Sequence, residues 1–469
     1  MNIEDTIVTI DLSEYKKDII DKLKIAMMTT AVLMVAVVTL GIMLLNVDGG
    51  VVMTQVDTVK EMQEQWAVLV AGSKGWDNYR HQADVCHAYQ VLHEHGVDDD
   101  HIVVMMYDDI AYSHQNPTKG VIINKPEGPN VYKGVPKDYT GENVNPQNFL
   151  AVLKGDKKAV EGKGSGKVVQ SGPNDNVFVY FADHGASGIV AFPSDFLDAQ
   201  TLNAALQEMN KNKRYKQVLF YLEACEAGSM FEGLLPQNIG VLAVTASNST
   251  APSFACFYDD KLKTFLGDVF SVSWMQNADA ENIEKETVEQ QIDDVSNSTV
   301  IYGEIGHFGD GSIMRDMVGM FQGPKDSGRS DTVLNITDAV AAYQVPIARL
   351  EKNTESNTEE IHSIKKGRKF VDTIVEDIAY EVLGDSEKMD EILEETHEIR
   401  DFDCFIKAVR VFHQKCFNLG ENGFALRKVH ILANLCGSEV LHVNSNDNYE
   451  RIKNVISNIC THPKIVGIN

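Results

Sequence analysis

From Trp66 onward, short runs that are apolar at nearly every position alternate with longer stretches that are apolar at every third or fourth. Residues 66–71, 102–107, 177–181 and 218–222 are of the first kind, which suits strands of a sheet covered on both faces. Residues 81–95, 148–153 and 199–209 are of the second kind and predict helices between those strands. This order implies an α/β domain on a mostly parallel sheet. Residues 154–173, rich in Gly and Lys, read as a surface loop, and around 321–337 the pattern dissolves into the Gly, Pro, Ser and Asp of a linker. Beyond it only helical periodicity remains, at 340–349, 370–383, 388–399, 402–417, 424–435 and 452–459. The expected organisation is a leader over 1–50, an α/β domain over 60–323, a linker over 324–339 and an all-α unit over 340–469.

One run fits neither pattern. Residues 25–45 are 21 uncharged, mostly apolar positions, enough to span a bilayer. Lys16, Lys17, Lys22 and Lys24 precede the run, whereas Asp48 and Asp57 follow it. The positive-inside bias keeps the first 24 residues cytosolic and sends the remainder to a lumen. No clean small-residue cleavage site stands out, so signal-anchor and cleaved signal peptide both remain open. Either gives access to the secretory route, and membrane contact is expected only through residues 25–45 if they are uncleaved.

Cysteine usage agrees with an oxidising lumen: Cys404, Cys416, Cys436 and Cys460, four of seven, crowd the C-terminal unit. Their spacing lacks the paired short gaps of a structural zinc site, and nothing calls for a metal or cofactor. Glycosylation sequons begin at Asn248, Asn297 and Asn335. A net charge of −26 excludes unaided nucleic-acid binding. That charge is uneven, since residues 401–469 hold 8 Lys or Arg against 6 Asp or Glu, together with His413, His430, His442 and His462. A mildly basic tail on an acidic body suggests that one docks on the other.

Ligands of an open parallel sheet bind beyond the C-terminal ends of its strands. The run 177–181 leads into Ala182-Asp183-His184-Gly185, and 218–222 leads into Glu223-Ala224-Cys225. A thiol and an imidazole therefore stand on one rim, where the imidazole can take the thiol's proton or stabilise the thiolate. Glycine after the histidine lets the backbone approach a substrate and offer its amide to a developing oxyanion.

The strings Asn78-Tyr79-Arg80-His81-Gln82-Ala83-Asp84, Met105-Met106-Tyr107-Asp108-Asp109, Gly134-Val135-Pro136-Lys137-Asp138-Tyr139-Thr140-Gly141, Asp183-His184-Gly185 and Glu223-Ala224-Cys225 resemble the legumain, or asparaginyl endopeptidase, family of the caspase-like clan. The resemblance runs from about Trp66 to Gly323 and continues more weakly beyond. It implies a caspase-like protease domain followed by a death-domain-like prodomain that caps the active site. Carried over residue by residue, it makes Cys225 the nucleophile and His184 its acid/base partner, oriented by Asn78. Backbone amides of Cys225 and Gly185 would form the oxyanion hole, and Arg80, Glu223 and Asp268 a zwitterionic pocket for an asparagine carboxamide, with Ser253 on the substrate-lining strand. It also implies the bridges Cys404–Cys436 and Cys416–Cys460, peptide and protein substrates, cystatin-type inhibitors, and a lysosome- or vacuole-like destination, possibly with secretion. Peptide ligation is available to the same acyl-enzyme when an amine replaces water. Two departures stand out. Ala227 replaces the family's usual serine after the nucleophile, and Ala251-Pro252-Ser253-Phe254 replaces its usual Glu-Ser-Ser-aromatic, leaving one backbone donor fewer near a peptide edge.

Two other functions compete. A glycosylphosphatidylinositol transamidase subunit would lack the four-cysteine helical unit. A non-catalytic helical interaction protein would not need Cys225, His184, Asn78 and Arg80 together. The charge asymmetry further predicts that acid loosens the cap, because carboxylates paired with Lys or Arg lose their attraction on protonation and tail histidines gain charge below about pH 6.5. The linker would then be cut at Asn335, or at Asp331 or Asp338 if the Asn335 sequon carries sugar.

Overall fold

The computed structural model describes residues 63–299, 302–325, 333–353, 358–384, 389–437 and 445–461. Residues 25–45, Asp331, His442 and His462 lie outside these. Among the described residues no helix is long and apolar enough to cross a membrane.

The expected runs form strands β1 (Gln65–Ala71), β2 (Ile102–Met105), β3 (Asn176–Ala182) and, after a three-stranded flap β4 (Gly185–Ala186), β5 (Ile189–Phe192) and β6 (Asp195–Asp198), strand β7 (Gln217–Glu223). They join β8 (Val241–Thr245), and the sheet order is β2-β1-β3-β7-β8 with every neighbour parallel. β1, β3 and β7 are buried along almost their whole length, which is why they read as unbroken apolar runs. Strand β2 stops at Met105, two residues short of the expected end, because Met106 turns to pair with Tyr139.

A second small sheet is formed by the antiparallel strands β9 (Phe254–Asp259) and β10 (Thr264–Asp268), and the short β11 (Gly306–Gly309) closes the main sheet antiparallel to β8. The segment expected to open the C-terminal unit as a helix instead begins as β12 (Val340–Ala341). Its residues pair antiparallel with Ala255 and Phe254 of β9, a free edge that outweighs the local helical pattern. The helix starts only afterwards, where Pro346 occupies its first turn.

Two helices position the site. Helix α1 (Tyr79–Glu94) crosses one face of the main sheet and is buried on nearly every side, and α2 (Val269–Ala280) follows β10 directly. The cap comprises α3 (Val345–Lys352), α4 (Thr358–Leu383), α5 (Met389–Glu394), α6 (Phe402–Lys415), α7 (Gly423–Arg427), α8 (His430–Gly437) and α9 (Ser445–Ile459). The helix expected over 388–399 is only α5, and that expected over 424–435 is split into α7 and α8 by a turn at Lys428. Disulfides join Cys404 to Cys436 and Cys416 to Cys460, tying α6 to α8 and to the end of α9.

The cap rests on the flap. Ala186, Ile189, Ala191 and Phe196 belong to one apolar cluster with Phe405, Leu419 and Leu426 of the cap. The fit is closest at Gly420, where a β-carbon would stand 2.1 Å from the Phe192 carbonyl oxygen. Among the described residues three ion pairs join the cap to the protease domain: Arg410–Asp198 of the flap at 3.2 Å, and, away from the flap, Arg349–Asp77 at 2.6 Å and Lys74–Glu421 at 2.8 Å. Only the first joins a base of residues 401–469 to an acid of the body, as the charge asymmetry predicts; Arg349 lies outside that segment, and the third pair runs against the asymmetry.

Candidate active site

β3 and β7 are adjacent and parallel, with Ala182 opposite Glu223, so the residues that follow them emerge on one rim. Cys225, His184, Gly185 and Asn78 line a single cleft there. The Asn78 amide nitrogen donates to the Lys74 carbonyl at 3.0 Å, which leaves Asn78 Oδ1 as the acceptor 2.8 Å from His184 Nε2. Nε2 therefore carries the hydrogen, and Nδ1 is the basic nitrogen of the neutral ring. Cys225 Sγ accepts from the Ser253 backbone amide at 3.4 Å and lies 3.6 Å from the Ser253 hydroxyl. Gly185 cannot be replaced without displacing the nucleophile's own backbone, since a β-carbon would sit 2.4 Å from the Cys225 carbonyl oxygen.

Burial decides the protonation of the pair. It pushes the Cys225 thiol up to about 11, partly offset by hydrogen bonds from Ser253. It brings His184 down to about 3, with the Arg80 guanidinium acting in the same direction. In the capped molecule both groups are neutral, which is a latent arrangement.

Beside the pair lies a polar pocket with unanswered groups. Arg80 Nε donates to Asp268 Oδ1 at 2.8 Å and Nη1 to the Asp77 carbonyl at 3.1 Å, while Nη2 is buried without a hydrogen-bond partner among the described residues. Glu223 Oε2 accepts from the Ser271 amide and hydroxyl at 3.0 and 2.8 Å, while Oε1 has no partner. Asp268 Oδ2 likewise lacks one, although His81 Nε2 stands 3.5 Å away. A buried polar atom left unpaired costs about 1–3 kcal/mol, so each of these three calls for a partner, one an acceptor and two a donor. A primary carboxamide supplies both, its oxygen accepting from Nη2 and its NH₂ donating to the two carboxylates.

His81, Asp183 and His184 bring possible metal-ligand atoms within 4.8 Å of one another. One atom of each is engaged, His81 Nδ1 with Ser73 at 2.7 Å, His184 Nε2 with Asn78, and Asp183 Oδ1 with the His184 amide at 2.6 Å, while Asp183 Oδ2 is buried without a hydrogen-bond partner among the described residues. The cluster reads as a hydrogen-bonded brace for His184.

The cap lines the same cleft with Tyr343, Pro346, Arg368, Gly423, Phe424 and Arg427. Arg427 lies 3.9 Å over the Tyr343 ring, and Arg368 donates to the Tyr343 carbonyl at 2.8 Å. Of the expected processing residues, the two that are described, Asn335 and Asp338, do not line the cleft. Asp338 accepts from the Phe257 and Tyr258 amides at 2.9 and 2.7 Å, holding Phe257 at a left-handed φ of 60°. Asn335 is exposed and lines a groove with the exposed Asn297. At the third sequon, Asn248 Oδ1 is held in a turn by the Thr250 and Ala251 amides. Pro252 precedes the first residue of β9, so it removes no donor from that strand's ladder.

Sequence reasoning passed over Ser271, His81 and Asp84. Asp84 had a signal, because Arg80, Asp84 and His87 recur at helical spacing as polar residues on a buried face. Ser271 had none, since its role depends on α2 starting directly after β10.

Residues 65–324 match the Peptidase C13 family, and residues 359–460 match the legumain prodomain. Human legumain is 44% identical over 406 residues, covering 84% of this chain and 93% of its own length. The vacuolar-processing enzyme delta-isozyme of Arabidopsis thaliana is 40% identical, covering 80% of this chain and 87% of its own. Crystalline caspase-1 from Spodoptera frugiperda is 9% identical over 58% of this chain, with a TM-score of 0.31, at which level the likeness carries no weight. The nearer relatives suffice: the chain belongs to the Peptidase C13, or legumain, family of cysteine endopeptidases, and it is a zymogen with its own C-terminal prodomain.

Proposed function

We propose that this zymogen matures into an endopeptidase that cleaves after asparagine and, in acid, after aspartate. The observation that carries the reading is the trio of unpaired buried atoms, Arg80 Nη2, Glu223 Oε1 and Asp268 Oδ2. Arg80 is two residues from Asn78, and Glu223 is two residues from Cys225, so the pocket adjoins the thiol and imidazole. Cys225 attacks the carbonyl after the bound residue as Nδ1 of His184 takes the thiol proton, forming a thioester and releasing the amine once His184 returns that proton. Amides at Cys225 and Gly185 receive the oxyanion, and water then hydrolyses the thioester. An aspartate side chain mimics the carboxamide only when protonated, so its cleavage should fall as pH rises above about 4.

The cap supports acid activation through two opposing effects. Leu419 N–H donates to His413 Nδ1 at 3.2 Å, an acceptor that protonation removes, and His413 also packs edge-on against Phe196 of the flap. Burial instead raises Glu226 to about 7, so its charged form is penalised in the capped fold. That penalty is present above about pH 7 and is relieved as pH falls toward the ordinary glutamate value, which favours closure in acid. His430, buried and with its pKa lowered, remains neutral longest and contributes little repulsion. Opening must therefore come from His413 outweighing Glu226. An acidic lumen of lysosomal or vacuolar kind is the matching compartment.

The test is purified precursor held at pH 4–5 and at pH 7, then given Asn-, Asp- and Gln-containing peptides, with cut sites read by mass spectrometry. We expect cleavage after Asn, after Asp only in acid, and not after Gln; equal cutting after Gln refutes the pocket. The precursor's own cut sites come from the same samples, and a cut after Asp338 requires that residue first to leave the Phe257 and Tyr258 amides. A separate variant tests the cap. Gly420→Val forces a side chain into the Phe192 backbone, so the uncut precursor should cleave peptide at pH 7, where the wild-type precursor is silent. A silent, folded Gly420→Val would show that this contact does not hold the cap shut.

A further inference from the structure

Behind the specificity pocket runs a line of buried polar residues that touches neither Cys225 nor His184. Asp84, with no exposed surface, accepts from the Asn124 amide nitrogen at 2.6 Å and from the Asp268 backbone amide at 3.2 Å. The Asp268 carboxyl lies beside it. Two buried carboxylates side by side would repel, so one of the two holds a proton. Asp268 faces the Arg80 guanidinium, whereas Asp84 meets an amide and other carboxyls, so the proton belongs on Asp84.

Farther back the hydrogen directions are also determined. The Asn124 amide nitrogen donates to Asp84 and to the Leu266 carbonyl at 2.9 Å, which makes Asn124 Oδ1 an acceptor. His87 Nδ1, 2.7 Å from that oxygen, must then carry hydrogen. The opposite nitrogen, Nε2, stands 3.1 Å from Asp279 Oδ2. The line thus runs from Asp279 through His87, Asn124 and Asp84 to Asp268, and every member is at most 8% exposed.

We propose that Asp84 is a positioning residue for substrate selection: held by Asn124 and His87, it accepts from the Asp268 backbone amide and fixes that residue's carboxylate, with Arg80, in the orientation that reads the substrate's carboxamide. Burial followed by the neighbouring Asp268 charge raises Asp84 well above the ordinary carboxylate range, in keeping with the proton assignment. Asp84 touches no substrate atom. Its influence passes through Asp268, so it acts on recognition rather than on the thiol.

The inference rests on the asparagine reading, and the experiment separates the two. Full-length Asp84→Asn, Asp84→Ala and His87→Leu are processed in acid, with a trace of wild-type enzyme added where a variant does not cut itself. KM and kcat are measured on an Asn-containing peptide from pH 4 to 7, together with the rate at which iodoacetamide alkylates Cys225. Asp84→Ala should raise KM about tenfold or more while alkylation stays at the wild-type rate. Asp84→Asn keeps one acceptor of the two and should raise KM by less than Asp84→Ala does. His87→Leu frees the Asn124 amide to turn over and should raise KM in the same sense by a smaller factor; it carries the test if Asp84→Ala fails to fold. A wild-type KM in folded Asp84→Ala or His87→Leu overturns the proposal, as does Asp84→Asn as damaged as Asp84→Ala. Wild-type enzyme that does not cut after Asn overturns the asparagine reading instead.

Discussion

Cys225→Ser is expected to lower kcat/KM on an Asn-containing peptide by about 10⁴-fold or more, leaving the melting temperature of the precursor nearly unchanged. Serine keeps the size and the hydrogen bond from the Ser253 amide, so the local fold has no reason to move. It loses the nucleophile, because a hydroxyl beside His184 does not ionise where a rehydrated thiol can. The wild-type thiol is itself dormant while capped, held up to about 11 by burial. Removing the cap therefore does two things: it opens the cleft, and it readmits water that lowers the thiol and raises the imidazole. An alkylating probe should label Cys225 slowly in the precursor and quickly after processing, and it should not label Cys225→Ser at that site. Equal labelling before and after would mean that the cap does not control the thiol. Full peptide cleavage by Cys225→Ser, free of other proteases, would remove Cys225 from the reaction.

Arg80→Ala is expected to lower kcat/KM for Asn by about 10³-fold, and also to destabilise the protein by about 3–5 kcal/mol. Both effects follow from its position. At 1% exposure Arg80 directly contacts Asp268, and its removal leaves buried carboxylates without a counter-charge as well as removing the donor Nη2. Arg80→Lys separates the two effects. Lysine restores a charge but not the fork of donors, so stability should recover more than activity does. Thermal melts and steady-state kinetics on the three proteins check this. Activity that recovered in step with stability would mean that Arg80 serves the fold and not recognition.

Much of this was readable in the chain, for definite reasons. β1, β3 and β7 announce themselves because each is covered on both faces, and covering leaves no polar alternation to confuse with a helix. His184 and Cys225 could be placed together because both follow central strands, whose ends a parallel sheet brings to one rim. Arg80, Glu223 and Asp268 needed the family resemblance, since 188 positions separate Arg80 from its Asp268 partner and no spacing encodes that contact. β12 was misread because Val340 and Ala341 also fit a helix, and the decision lies with the open edge of β9 rather than with their own pattern. The roles of Asp338 and His413 were hidden for a similar reason: each is defined by a backbone amide that only the folded chain brings near.

The pairing of β12 with β9 makes the inhibitor a tethered ligand. While the linker is whole, Val340 and Ala341 compete for the β9 edge at an effective concentration set by chain length, in the millimolar range for a short flexible tether. A cut upstream of Val340 leaves Val340 and Ala341 able to pair with β9, yet it turns that internal closure into a bimolecular equilibrium. Occupancy of the edge then depends on how much protein surrounds it. Crowded in a small vesicle, the severed enzyme would still be masked; released and diluted, it would unmask itself without further chemistry.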